Sequence, residues 1–112
     1  MYYLLSLCYS ELMDFKNALL CIDKSIELNS RNPTLYILRS DIYEALGKFT
    51  KSKEDIIKVI ELFPNYLNNL ESKANSYEKI GDTKNANRFF CYIKKVKNVL
   101  NEIKHNRNLF YQ

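Results

Sequence analysis

Hydrophobic and polar positions recur along this chain on two scales, one of a helical turn and one of 34 residues. Tyr9, Tyr43 and Tyr77 set the longer frame. Leu12, Leu46 and Ile80 follow each tyrosine by three residues, and Ser6, Ser40 and Ala74 precede it by three. Ala18, Ser52 and Ala86 come nine residues after the tyrosines, and Ile22, Ile56 and Phe90 thirteen after. Leu28, Leu62 and Val96 close each unit. This pattern predicts two helices per unit, near 2–13, 16–28, 33–46, 50–62, 67–80 and 83–105.

Turn signals fall between these segments. Gly47-Lys48 and Gly81-Asp82 separate the two helices of their units, where glycine suits the positive φ of a helix end. Met13-Asp14 is the weaker equivalent in the first unit. Asn32-Pro33 reads as an N-cap followed by proline at the first helical position, and Pro64-Asn65 divides the second unit from the third. Two antiparallel helices approach closely only where small side chains occupy the crossing. Ser6 is therefore expected to meet Ala18, Ser40 to meet Ser52, and Ala74 to meet Ala86. A large residue at such a crossing would cost about 1–3 kcal/mol in overpacking.

A 34-residue helix-turn-helix unit with small residues around a central tyrosine resembles the tetratricopeptide repeat. The second unit matches best, with Tyr36, Ser40, Tyr43, Gly47, Phe49, Ser52 and Pro64 in family order. The resemblance covers residues 1 to about 98. It implies an all-α fold, a right-handed α–α superhelix (a tetratricopeptide-like solenoid) of three antiparallel helix pairs. One domain over residues 1–112 is expected, with repeats at about 1–32, 33–66 and 67–100 and a C-terminal capping extension over 101–112. The chain departs from the family where Ser25, Val59 and Ile93 replace an alanine late in the second helix, and where Arg39 and Lys73 replace a leucine in the first.

A solenoid unit buries its apolar face only against neighbours, so its ends need covering. Phe89, Ile93, Val96, Leu100 and Ile103 form a stripe at helical spacing that carries the last helix past the repeat as a cap. A membrane-surface or partner-binding helix is the alternative. At the other end no polar cap precedes Tyr2, Tyr3, Leu4 and Leu5, which points to the C-terminal part of a longer array packing on repeats upstream.

The resemblance implies that the first helix of each unit lines a concave groove for a protein partner. The inner positions are Tyr3, Leu4 and Leu7, then Thr34, Ile37, Leu38, Asp41 and Glu44, then Asn68, Glu71, Ser72, Asn75 and Glu78. Helical spacing supports the grouping, since Ile37, Asp41 and Glu44 lie four and three apart. The partner-binding residues we expect are Tyr3, Leu7, Ile37, Leu38, Asp41, Glu44, Glu71 and Asn75. Such a groove is apolar at one end and acidic further along, and fits an extended or helical segment with apolar anchors and basic residues. The competing reading packs the apolar part on upstream repeats and leaves the acids solvated. Co-chaperones of the family grip paired carboxylates with lysine and asparagine. The corresponding Tyr3, Leu7, Leu38, Asn68 and Ser72 supply no cation, so a chaperone-tail clamp is not expected.

Composition narrows the chemistry. Hydrophobic residues at 46% with only two glycines and two prolines exclude disordered and collagen-like classes. Cys8, Cys21 and Cys91 are odd in number and lack metal-ligand spacing, so they read as small hydrophobes in a reducing, cytoplasmic setting, with neither disulfide nor metal. His105 has no partner nearby in sequence, and no phosphate-cradling loop or nucleophile motif occurs. No catalytic residue and no cofactor is assigned; the expectation is a binding module, not an enzyme. A docking or regulatory segment of a larger enzyme or co-chaperone is the second reading. Residues 84–112 hold seven basic residues against Glu102 alone, with Tyr92, Phe110 and Tyr111 interspersed, while residues 1–83 are net −2. Association of this basic helix with nucleic acid or an anionic membrane is a third reading. A solvated face is favoured over it.

Overall fold

The computed structural model describes residues 2–110, and side chains for residues 2–105. It places six helices in order: α1 (Tyr2–Glu11), α2 (Phe15–Leu28), α3 (Pro33–Ala45), α4 (Phe49–Leu62), α5 (Tyr66–Lys79) and α6 (Thr83–Phe110). No strand occurs among the described residues, and the all-α, tetratricopeptide-like architecture matches the expectation. The chain forms two compact units, Met1–Val59 and Ile60–Gln112, with α4 crossing their boundary.

One turn occurs three times. The carbonyls of Tyr9, Tyr43 and Tyr77 accept the backbone N–H groups of Asp14, Lys48 and Asp82, five residues on, at 2.8, 2.8 and 2.9 Å. Between them Met13, Gly47 and Gly81 take φ of 61°, 75° and 80°. This pairing satisfies carbonyls that a helix end leaves open, and it requires a left-handed residue. The turn ends α1 at Glu11, two residues before the expected boundary. Asp14 and Asp82 then start the following helices by accepting the backbone N–H groups of Asn17 and Asn85, each at 3.3 Å. Leu12 and Ile80 keep the apolar frame in sequence but lie in these turns, beyond the packed face, and are exposed.

In the first unit α1 packs on α2, and α2 on α3. The crossings use the small residues expected. The Ser6 hydroxyl donates to the Ala18 carbonyl at 3.1 Å, and the Ser40 and Ser52 hydroxyls meet at 2.7 Å. All four residues are buried. Ile22, Ile37 and Ile56 are fully enclosed around them. Asn32 caps α3 through the Thr34 N–H at 3.1 Å, with Pro33 as its first residue. Leu28 and Leu62, expected to close their units, are exposed at the last turns of α2 and α4.

Arg39 ties three helices of this unit together. Its Nε and Nη2 donate to the Asp55 carboxylate on α4 at 2.9 and 2.7 Å, and its Nη1 donates to Asp23 on α2 at 3.0 Å. The guanidinium also lies over the rings of Tyr36 and Tyr43, 5.7 and 5.8 Å from their centroids. The Asp55 carboxylate, more than that of Asp23, raises the Arg39 pKa above its usual range despite the opposing effect of burial. Burial likewise raises the Tyr43 phenol.

In the second unit α5 packs on α6 with Ala74 and Ala86 both buried. Tyr77 stacks on Phe89 at 5.6 Å, Tyr92 meets Phe89 edge-on at 5.9 Å, and Lys73 lies over the Phe89 ring at 5.9 Å. Ile93, Val96 and Val99 are buried on one side of α6, with Leu100 and Ile103 half-buried after them. The stripe read as a cap thus faces inward, and α6 runs to Phe110, past the expected end near residue 105.

Candidate functional site

The first helices of the three helix pairs carry one shared register of positions. Tyr3, Ile37 and Glu71 occupy the same place in the 34-residue frame, as do Leu7, Asp41 and Asn75, and Ser10, Glu44 and Glu78. Successive members are four and three residues apart, so on each helix they share a face. The small crossings fix the rotation of each helix, because only the serine or alanine side fits against its partner.

Burial separates these residues into two groups. Asp41 and Glu44 on α3 are exposed, as are Asn75 and Glu78 on α5. Tyr3 and Leu7 on α1 are half-buried and keep some surface. Ile37 is 0% exposed and Leu38 9%. Ile37 therefore cannot touch a partner, and the expectation that it does is corrected: its side chain fills the core of the first unit. Leu38 offers little more. The register alone does not reveal this, since a β-branched aliphatic suits a groove and a core equally.

Electrostatics modify the acidic part. Glu71 is half-buried, and its carboxylate lies 3.3 Å from Lys97 Nζ on α6, which offsets its charge. The partners are 26 residues apart in sequence, and no spacing rule announces the pair. Glu44 takes a long, 3.4 Å hydrogen bond from the Ser52 hydroxyl. Asn75, Glu78 and Lys79 line an open depression on the second unit. Lys79 was not among the expected site residues; it adds a cation beside Glu78. Asn68 and Ser72 are exposed on the same helix.

Cys8, Cys21 and Cys91 are free thiols, with Cys8 and Cys91 exposed, not enclosed as small hydrophobes. His105 is exposed on α6. Among the described residues no helix is long and apolar enough to cross a membrane. Of the basic tail, the Arg107 and Phe110 side chains and Tyr111 lie outside what is described.

Comparison with known proteins agrees with the repeat geometry. The tetratricopeptide repeat profile matches residues 1–32 and 33–66. The third helix pair lies beyond that match, yet it repeats the positive-φ turn at Gly81 and the buried alanines 74 and 86. A crystal structure of MamA superposes with a TM-score of 0.56 at 21% identity, over 93% of this chain and 59% of that one. At that identity the likeness speaks for the fold, and this chain spans 59% of the MamA chain's length. With two matched repeats over more than half its residues, and the same turn and crossing repeated along it, the chain belongs to the tetratricopeptide-repeat family.

Proposed function

We propose that this protein is an interaction scaffold that takes a partner segment on the faces presented by its first-of-pair helices. The observation that carries the proposal is the change in chemistry along one register. It is apolar at Tyr3 and Leu7, acidic and exposed at Asp41 and Glu44, and amide and acid at Asn75 and Glu78. Within the first unit, a partner with apolar anchors and basic residues complements Tyr3, Leu7, Asp41 and Glu44; Asn75 and Glu78 offer an amide and an acid on the second unit. Glu71, already paired with Lys97, contributes a weaker acid, and Ile37 and Leu38 act from beneath as packing. Family membership supports a binding module over a catalytic one, because these repeats serve as rigid interaction surfaces.

Affinity capture with the native chain beside an Asp41→Lys/Glu44→Lys variant tests this reading. Both positions are exposed, so circular dichroism should show an unchanged helical content. The variant should lose the partners that the native chain retains at physiological salt. Identical partner sets would overturn the assignment. The same surface offers no cationic pair for a carboxylate-ended chaperone tail. Calorimetry with such a peptide should give no binding heat, and micromolar affinity would refute this part.

A further inference from the structure

Lys97 is a cation that the repeat itself does not supply. The second helices α2 and α4 end at Leu28 and Leu62, and the next residues, Asn29 and Phe63, are no longer helical. Lys97 holds the equivalent place in the 34-residue frame, and it is helical because α6 runs on to Phe110. From there its Nζ reaches one carboxylate oxygen of Glu71 on α5, at 3.3 Å. Glu71 is an acid at a register position that Tyr3 and Ile37 fill in the other helix pairs. Asn68 and Asn75, one turn to either side of it on α5, are exposed. Their amide oxygens and the carboxylate are the kind of acceptors that an ammonium or guanidinium group needs.

We propose that Glu71 receives a cationic side chain of the partner, and that Lys97 occupies the carboxylate until the partner displaces it; this rests on the partner reading above. The ion pair yields readily. Lys97 is 53% and Glu71 43% exposed, and a pair so open gains little, because water screens it and two long side chains must be held in place. An arginine of the partner has the advantage of a planar fork that takes both carboxylate oxygens, where Lys97 engages one. An occupant within the molecule lowers the partner's apparent affinity in proportion to the time the site is taken. For an exposed ion pair that factor is about two- to six-fold. Lys97 thus acts as a latch on the acidic part of the second unit.

The probe is a blocked peptide of leucine and alanine carrying two arginines, its binding to the full chain followed by fluorescence anisotropy. Lys97→Gln should bind it about two- to six-fold more tightly than the native chain, at unchanged helical content. Lys84→Gln removes the same charge from an exposed site at the start of α6 and should leave the affinity near native. In Lys97→Gln/Glu71→Gln the gain should vanish, because the receiving carboxylate is gone. In a titration of the native chain followed by nuclear magnetic resonance, the Lys97 Nζ signal should move to its position in Glu71→Gln. Equal affinity of Lys97→Gln and the native chain, with Glu78→Lys still weakening binding, would overturn the latch and leave the partner reading standing. A gain that survives the loss of Glu71 would likewise overturn the latch. No binding to any of these chains up to about 1 mM would overturn both.

Discussion

The Ser25 hydroxyl lies buried in α2 with no hydrogen-bond partner. A desolvated, unpaired hydroxyl is a standing penalty, and the equivalent positions Val59 and Ile93 are apolar and buried. Ser25→Ala should therefore raise stability by about 1 kcal/mol in urea denaturation. Met13 carries a second local cost. Its φ of 61° is the conformation that Gly47 and Gly81 adopt without a Cβ. Met13→Gly should stabilise the first unit by about 1 kcal/mol, since relief of that strain outweighs the added freedom of the unfolded chain. Gly47→Ala should lose about as much. An added Cβ there meets nothing within 4 Å, so backbone conformation alone sets the sign. Equal stability of Met13→Gly and the native chain would show the turn to be unstrained.

At the scale of elements, one pair of positions sixteen residues apart takes three chemistries in the three helix pairs. It is Leu5 and Cys21 in the first, Arg39 and Asp55 in the second, and Lys73 and Phe89 in the third. The second is an ion pair with the arginine 18% and the aspartate 6% exposed. Arg39→Leu leaves Asp55 charged and unpaired in the core and should cost about 3–5 kcal/mol. The double substitution Arg39→Leu/Asp55→Cys reproduces the first helix pair and should return to within about 1 kcal/mol of the native chain. A double variant as unstable as the single one would show that the ion pair has no apolar substitute. The sequence points to Arg39 only as an odd residue where the family has leucine. Its partners were not legible, because Asp23 and Asp55 lie on separate helices and meet only after both crossings form. The crossings themselves were legible, since small residues repeated at fixed spacing leave little choice of contact. Helix ends were read less closely: the shared turn consumes Leu12 and Met13, which the apolar pattern assigns to a longer α1.

For the molecule as a whole, the repeat brings residues of changing chemistry to the same register positions of its first-of-pair helices. Within each unit the buried serines and alanines hold the helix pairs, leaving the acids of α3 and α5 at the surface. Which positions share a register could be read from the period. Which of them retain surface could not, because Ile37 obeys the same spacing as Glu71 and is nonetheless enclosed. The most direct measurement places a photoreactive phenylalanine analogue at position 41 or 75, and as controls at the exposed positions 54 and 88. Illumination in an extract of the source cells should give partner adducts from positions 41 and 75 and none from 54 and 88. Adducts from the control positions alone would contradict the account.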